Sequence, residues 1–427
     1  MKKNYIIFIR TIGGLDHVLP FIDYVLSNNK GTVQLISNVE EIPGAQDHLE
    51  FLRRIHKIKP VYLFDIVFSA FYKEIYRKYN MFVDTTQRFY IKIPYTTFFS
   101  TCIIIAMIRI YLFVLSKPIR GFIYGLDNSN VIITDVGSEV NFPNKFVVKY
   151  AGKRFLSTIC FIHGIMVWTN LDNIKGKHRR SDYKSIKNKI RNIIQGKRCY
   201  SDKYLTCYYQ KETLFKSSSL RSFNEPERVI EVGAPRFTYE WNDVIKNYLL
   251  EKYEFKYGDR TKLNVVIFVS NFIYNVIPEM FYKTISELGA LEHINLVCQA
   301  RTKGELEKVD DSLFKVYKVF DIPSIVMSDW ADVGILYGSS IGFQLLLDKV
   351  PIIVPSYIHT NHTIYEKYDV CIKAKNIEEL KRILSHDKES IRSLFKHKES
   401  DKFINDIVYG NKTYQQLMEA YLSAVDG

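Results

Sequence analysis

The residues with the clearest chemical potential form a polar turn between two apolar stretches. The turn Gly338–Ser340 follows the apolar run Val333–Tyr337 and precedes a predicted helix over Ile341–Asp348. A turn that enters a helix offers unpaired N–H groups, and the positive end of the helix dipole favours anions. The hydroxyls of Ser339 and Ser340 add hydrogen-bond donors. The pattern predicts a site for the phosphates of a nucleotide, although an N-capped helix of any α/β protein shares it.

Further side chains that suit a nucleotide follow this turn. Glu366 comes after the loop SYIHTNH, and a carboxylate accepts hydrogen bonds from the hydroxyls of a ribose. His359 and His362, within that loop, are candidates for contacts with phosphate. Their His-x-x-His spacing has no neighbouring acid or cysteine suited to zinc, and no Asp-x-Asp element is present. We therefore predict no metal site and no cofactor.

Three residues are candidates for the general base. His163 follows an apolar strand and precedes a glycine, which predicts a position at the carboxyl end of that strand, facing a cleft. Asp16 and His17 follow the Gly13–Gly14 turn and compete for the same role. The alternatives are a structural histidine at the strand end and ordinary capping of a helix N-terminus by Asp16.

Charged residues elsewhere suit the other parts of a transfer reaction. Arg236, after Pro235, is a candidate clamp on a leaving phosphate, because a guanidinium binds two oxygens in a fork. A surface salt bridge is the alternative. Asp135 and Glu139 flank a Gly-Ser pair after another strand. They are predicted either to orient an acceptor sugar or to solvate a loop.

The first half of the chain predicts an α/β unit that would position these residues. Strand Tyr5–Ile9, helix Leu15–Leu26 and strand Thr32–Ser37 form a β-α-β pattern, and residues 45–117 are predicted to be a helical insertion. We assign residues 1–258 to this N-terminal domain. Its further strands are predicted at Val131–Thr134, Ser157–Ile162, Tyr204–Tyr208 and Arg228–Val232.

The second half alternates strands and helices more regularly, which is typical of a doubly wound parallel sheet. We assign residues 259–410 to this domain, and predict that a final helix over 411–427 packs back on the first domain. Two such domains facing each other leave a cleft between the carboxyl ends of their strands. Strands are predicted at Asn264–Val269, Ile294–Gln299, Phe314–Val319, Val333–Tyr337, Ile352–Val354 and Asp369–Ile372.

The chain is basic, with a net charge of +13 and a pI of about 9.1. No zinc-finger spacing, RNA-recognition signature or basic tail accompanies this charge, so we predict no nucleic-acid partner. Residues 173–203 contain eleven Lys or Arg against two Asp. This segment predicts either a solvated helix or a surface for anionic lipid or a phosphorylated acceptor.

The run Phe98–Leu115 is nearly all apolar but contains Arg109. Its 18 residues are at the lower limit for spanning a bilayer, and a central arginine is costly there, so we predict a buried or membrane-facing helix. The six cysteines form no Cys-x-x-Cys pair, and no cleavable signal peptide precedes Tyr5–Ile9. These features predict a cytoplasmic protein, and the basic segment 173–203 with the run Phe98–Leu115 adds a peripheral position at the inner face of the cytoplasmic membrane as an alternative.

Three landmarks carry a family resemblance: FIHG at 161–164, VGAPRF at 232–237 and LYGSS at 336–340. In order and spacing they resemble the GT-B glycosyltransferases of bacterial capsule and lipopolysaccharide biosynthesis, and the related polyol-phosphate transferases of teichoic-acid type. The resemblance covers roughly residues 150–370. The N-terminal segment RTIGGLDHVLPF is similar to the glycine-rich acceptor loop of sugar-transferring members, which implies that Gly13 and Gly14 bind acceptor.

The resemblance implies a GT-B fold and transfer of a sugar from a nucleotide-activated donor to a glycan or lipid-linked acceptor, with inversion and without a metal. Polyol-phosphate transfer and nucleotide-sugar 2-epimerisation are alternatives on the same fold. The polyol-phosphate polymerases usually have an Asp-Tyr-Ser-Ser element, whereas Tyr337 and Gly338 precede the two serines here, which speaks against a polyol-phosphate donor. A further alternative is a non-enzymatic protein that binds acidic glycans or membranes.

Overall fold

The computed structural model describes residues 2–92, 98–135, 141–161, 165–169, 200–217, 225–269, 276–300, 316–319 and 322–426. Within these ranges the strands form two parallel sheets, each covered by helices on both faces. Two doubly wound α/β units facing each other are the architecture predicted from the sequence.

Seven strands of the described N-terminal part form the first sheet, in the order β3-β2-β1-β4-β5-β6-β7. In β1 the residues from Tyr5 to Ile9 are all buried, with Tyr5 and Ile7 facing one helical layer and Ile6 and Phe8 facing the other. A continuous apolar run is what a parallel strand needs when both faces are covered. The strands are β1 (Lys3–Ile9), β2 (Gly31–Ser37), β3 (Val61–Tyr62), β4 (Asn130–Asp135), β5 (Thr158–Phe161), β6 (Lys203–Thr206) and β7 (Val229–Glu231).

Helices cover this sheet in two layers. The layer with α1, α2 and α8 buries one face, and the layer with α3 to α6 buries the other. Helices α2 to α5 lie in the stretch 45–117 that was predicted to be helical, which also contains the sheet strand β3, and the last of them continues to Tyr124. The helices are α1 (Ile12–Ser27), α2 (Gln46–His56), α3 (Leu63–Val67), α4 (Ala70–Lys92), α5 (Phe98–Tyr124), α6 (Asn144–Lys153), α7 (Lys211–Ser217) and α8 (Tyr239–Lys252).

The apolar run Phe98–Leu115 forms the first two thirds of α5. Its inward side chains, among them Ile108 and Leu115, are buried against the sheet and α6. None of the helices in the described ranges combines the length and apolar character needed to cross a bilayer.

Six strands of the described C-terminal part form the second sheet, in the order β10-β9-β8-β11-β12-β13. The strands are β8 (Leu263–Val269), β9 (Ile294–Ala300), β10 (Val316–Val319), β11 (Val333–Leu336), β12 (Ile352–Pro355) and β13 (Ile372–Ala374). The helices are α9 (Pro278–Gly289), α10 (Ser324–Trp330), α11 (Ile341–Leu347), α12 (Ile364–Lys367), α13 (Ile377–Leu384), α14 (Lys388–Ser393) and α15 (His397–Ile404).

The last strand of this sheet begins three residues later than predicted. Sequence placed it at Asp369–Ile372, whereas β13 spans Ile372–Ala374. Asp369 has a φ of +56°, a left-handed conformation that ends the turn after α12 and is incompatible with a strand. The prediction was wrong because the side chain of Asp369 gives little sign of this backbone conformation.

The final helix, α16 (Tyr414–Asp426), packs on the N-terminal unit. Tyr5 Oη donates to Asp426 at 2.8 Å, and Tyr24 Oη donates to Glu419 at 2.7 Å. Tyr421 Oη donates to the carbonyl of Gly233 at 2.9 Å. The chain therefore passes into the C-terminal unit after α8 and returns at its end, so the two units are held by covalent connections on both sides.

We predict that Met418→Ala lowers the free energy of unfolding by about 2–4 kcal/mol, because the truncation leaves a cavity between α16 and the first sheet. Met418 is fully buried in that core. Urea unfolding is the measurement, and Ser423→Ala, at an exposed position of the same helix, is the control. Equal midpoints for the two variants would contradict the packing of α16.

Candidate functional site

The start of α1 is fixed by a cap and a close backbone approach. Thr11 is the N-cap, with its hydroxyl accepting from the N–H of Gly14 at 3.2 Å, so the helix begins one turn before the predicted Leu15. A Cβ added to Gly14 would lie 2.9 Å from Oδ2 of Asp135, at the end of β4. Glycine therefore lets α1 approach β4. Two residues predicted to bind acceptor, Gly14 and Asp135, are neighbours, with Gly13 in the same turn.

Asp16 is held by two partners. Its Oδ1 lies 2.6 Å from Nε of Arg236 and 3.0 Å from Nε2 of His48, and 23% of its side chain is accessible. Burial alone would raise the pKa of the Asp16 carboxyl, but the Arg236 guanidinium and the hydrogen bond from His48 hold that pKa well below its ordinary value of 3.8. Asp16 is thus an ionised partner of Arg236, and Thr11 rather than Asp16 caps the helix.

Arg236 lies in the 3-10 turn Pro235–Phe237, between the two units. Its Nε forms an ion pair with Asp16 without hydrogen-bond geometry, and its Nη1 is likewise buried without a hydrogen-bond partner among the described residues. A buried donor without an acceptor is costly, so this nitrogen suits a ligand oxygen. The turn also connects the units: Phe237 stacks on Phe343 of α11, with ring centroids 4.8 Å apart.

His17 faces a different direction from Asp16. Its ring meets Phe237 edge-on, with centroids 5.8 Å apart, and it lines a pocket at the carboxyl ends of β5 and β6. Consecutive residues on a helix point about 100° apart, which explains the separation. The same pocket is lined by Phe161, Ile165, Thr206, Cys207, Pro235 and Tyr421. His17 therefore lines a small pocket between the strand ends and the turn at Pro235.

Several predicted positions lie outside the described residues. These are His163 with Gly164, Glu139, and residues 173–199 of the basic segment. The stretch 165–169, which follows His163 in sequence, is described and ties the N-terminal unit to the C-terminal one. The N–H of Ile364 donates to Val167 O, and the N–H of Thr169 donates to His362 O, both at 2.8 Å.

This stretch places Trp168 against the serine turn. Gly338 has a φ of +83°, and a Cβ built on it would lie 1.7 Å from the Trp168 ring. Glycine is therefore required at 338 for both conformation and space. The backbone of the turn is held as well, because Tyr365 Oη donates to the carbonyl of Ser339 at 2.8 Å. Ser339 and Ser340 thus stand at the start of α11, as the sequence predicted.

His359 is buried beside this turn, with 3% of its surface exposed. Its ring packs on Trp168, with centroids 5.5 Å apart, and its Nδ1 accepts from the N–H of Asn361 at 3.2 Å. Burial lowers the pKa of His359 to about 4, so the ring is neutral at neutral pH. The neutral ring then carries its proton on Nε2, which is buried and has no partner among the described residues.

Glu366 caps its own helix. Oε2 accepts from the N–H of Thr363 at 2.7 Å and from its hydroxyl at 3.1 Å, while Oε1 is 4.0 Å from Nζ of Lys373. Oε2 is therefore used by the capping box. Of the two carboxylate oxygens that the sequence suggested for ribose hydroxyls, Oε1 remains. The Thr-x-x-Glu spacing was the available signal for this role.

His48 and Trp168 were missed by sequence reasoning. His48 meets Asp16 from 32 residues away, and its Nδ1 is buried without a partner among the described residues. No local pattern marks such a contact. Trp168 follows the FIHG landmark closely, but its role depends on the glycine at 338, on the other unit.

Two parallel, doubly wound sheets with facing carboxyl edges, joined by a turn and a returning C-terminal helix, define the GT-B fold. Solved structures show the same architecture over the whole chain. A Listeria monocytogenes protein assigned as a UDP-N-acetylglucosamine 2-epimerase is 11% identical, covering 100% of this chain and 96% of its own, with a TM-score of 0.51. Arabidopsis thaliana UGT89C1, complexed with UDP, is 13% identical, covering 99% and 100%, with a TM-score of 0.50.

No protein-family model matches the chain, and no curated protein matches it either. The likeness to the solved structures is one of fold, since the identities are low.

We predict that Gly338→Ala lowers the free energy of unfolding by about 3 kcal/mol or more, because the methyl group meets both an unfavourable φ and the Trp168 ring. Thermal unfolding is the measurement. Gly121→Ala is the matched control, since a Cβ there meets nothing within 4 Å. Alanine has a higher helix propensity than glycine, so the Gly121→Ala protein should be as stable as the parent or slightly more stable. Similar losses in both variants would contradict the assigned contact.

The titration of His359 gives a pH-dependence with a defined sign. Its pKa falls from an ordinary 6.5 to about 4 in the folded protein, so the unfolded chain takes up the proton first as pH falls. Stability from this group is present above pH 6.5 and is lost toward pH 4. His359→Gln should remove about 2–3 kcal/mol of that acid-induced loss, measured by urea unfolding across this range. His386→Gln, at an exposed position, should leave it unchanged.

Proposed function

We propose that the protein is a glycosyltransferase that moves a sugar from a nucleotide-activated donor to a bacterial surface polysaccharide or lipid-linked glycan, at the inner face of the cytoplasmic membrane. The observation that carries the proposal is the convergence of three elements in a GT-B cleft. The start of α1 holds Asp16 and His17, the turn Pro235–Phe237 holds Arg236, and the turn before α11 holds Ser339 and Ser340.

The donor would lie against the C-terminal unit. The N–H groups and hydroxyls around Ser339 and Ser340 would hold the diphosphate, and the unpartnered Nη1 of Arg236 would donate to a phosphate oxygen. The Oε1 atom of Glu366 would accept from one ribose hydroxyl, since Oε2 is held by Thr363. These groups stabilise the leaving nucleotide with protein cations and dipoles, so we propose a reaction that needs no metal ion and no cofactor.

The acceptor would enter from the N-terminal unit, along Gly13, Gly14, Asp135 and Glu139. Its hydroxyl oxygen attacks the anomeric carbon in line and gives its proton to a histidine. The bond between that carbon and the diphosphate oxygen breaks, and the electron pair leaves with the nucleotide, which inverts the configuration. We assign the base to His163 on the resemblance, with His17 as the alternative that lines the pocket. Asp16 is too strongly ion-paired for this role.

A nucleotide-sugar 2-epimerase is the second candidate, favoured by the likeness to the Listeria monocytogenes protein. Such an enzyme converts its nucleotide sugar without an acceptor. Incubation with donor alone separates the two: a new sugar isomer supports the epimerase, and product that forms when acceptor is added supports the transferase. A polyol-phosphate product would instead indicate the third chemistry of this fold.

Nucleotide binding tests the donor site. In a thermal-shift screen with CMP, CDP, UDP, GDP and dTDP, we expect nucleotides of one nucleobase to raise the melting temperature. The shift should be equal with magnesium and with a chelator. Combined Ser339→Ala and Ser340→Ala should abolish that shift. The control combines Ser385→Ala and Ser393→Ala, exposed serines of the same unit. An absence of any shift would favour a non-enzymatic binding protein, and a shift that requires magnesium would contradict the metal-free donor site.

Substitution of the histidines tests the base. His163→Ala should lower turnover by about 10²- to 10⁴-fold with nucleotide binding intact, because a general base contributes that much. Unchanged turnover in this variant, with loss in His17→Ala, would move the role to His17. His386→Ala provides the control for a histidine outside the cleft.

A further inference from the structure

Helix α5 exposes a line of large apolar side chains. Ile103, Met107, Ile110 and Phe113 follow at intervals of three or four residues and are 46%, 38%, 63% and 64% exposed. That spacing places them on one face of the helix. The buried residues of α5, which include Ile108, Leu115 and Ile119, lie on the opposite face. The helix therefore has one apolar face for the core and a second apolar face toward solvent, here called the outer stripe.

The charges around the outer stripe are mainly positive, while α4, which packs on α5 through Tyr79 and Phe82, also carries Glu74 and Asp84. Helices α5 and α6, which pack against each other, contain no Asp or Glu. Their charged residues are Arg109, Lys117, Arg120, Lys145, Lys149 and Lys153. Lys117 is on the stripe side of α5, with Nζ 5.4 Å from the centre of the Phe113 ring. Apolar area and positive charge thus occupy the same surface.

An exposed aromatic residue extends this surface at the end of α6. Phe155 is 94% exposed and has a φ of +56°. Glycine is the usual residue in this conformation after a helix, so a phenylalanine there is unfavourable in water. The adjacent Arg154 lies over the ring of Tyr124, the last residue of α5, at 5.8 Å. Phe155 therefore stands beside the C-terminal end of α5.

We propose that α5, α6 and the turn at Phe155 form a docking surface for an anionic lipid bilayer. The outer stripe and Phe155 enter the boundary between headgroups and acyl chains, while the lysines and arginines contact the headgroup phosphates. Another copy of this chain is a poorer occupant, because two surfaces with a net positive charge would repel each other. This docking rests on the membrane location in the proposed function and names the surface responsible, and vesicle binding tests it without turnover.

Vesicle flotation tests the docking surface directly. With vesicles of phosphatidylcholine containing about one third phosphatidylglycerol, the full-length protein should float, and added salt should weaken the binding. With pure phosphatidylcholine it should stay in the dense fraction. Combined Ile110→Ser and Phe113→Ser should lower partitioning about tenfold or more, because two apolar side chains no longer leave water.

The matched control combines Ile55→Ser and Val244→Ser, which are 52% and 43% exposed and lie outside the surface. It should bind vesicles like the parent protein. Equal binding of the Ile110 and Phe113 variant, or equal loss in the control, would overturn the proposal, as would equal binding to neutral vesicles. Light scattering could instead show that the parent protein is a dimer and that this variant is a monomer. That result, with vesicle binding unchanged, would overturn the proposal in favour of self-association. The Ile110 and Phe113 variant should show the same thermal shifts with nucleotides as the parent protein. Loss of vesicle binding is then distinguished from failure of the proposed donor site.

Discussion

The ion pair between Asp16 and Arg236 is the contact on which the geometry of the cleft depends. It joins α1 of the N-terminal unit to the turn whose Phe237 stacks on α11 of the C-terminal unit. Both side chains are mostly removed from water, so either charge alone would carry a desolvation cost of several kcal/mol. Since the pair satisfies both charges, it fixes the two elements against each other. The same ion pair keeps the Asp16 carboxyl ionised, and in the proposed reaction a histidine accepts the proton.

A second tie crosses the cleft at residues 165–169. Its backbone bonds to His362 and Ile364 place the Trp168 ring against a glycine that has no room for a side chain. The serine turn therefore rests on a residue of the opposite unit. The position of this turn therefore depends on the arrangement of both units. The basic, apolar surface of α5 and α6 lies on the far side of the first sheet from α1.

Periodicity and glycine placement were enough to predict the α/β alternation, the strand-turn-helix unit at 333–347 and the paired sheets, because these depend on local burial patterns. The start of β13 was misplaced, since the left-handed Asp369 leaves no mark in composition. The site was predicted less completely. Contacts such as His48 with Asp16 or Trp168 with Gly338 join residues far apart in sequence, and a single sequence carries no record of them.

The central claim is that the cleft between Arg236 and the turn at Ser339 and Ser340 holds the diphosphate of a nucleotide sugar. A crystal structure of the protein with the nucleoside diphosphate that stabilises it tests this most directly. We predict phosphate oxygens within hydrogen-bond distance of the serine turn and of Arg236 Nη1, with a ribose hydroxyl at Glu366 Oε1. A nucleotide that binds elsewhere and makes no contact with this turn or with Arg236 would contradict this claim.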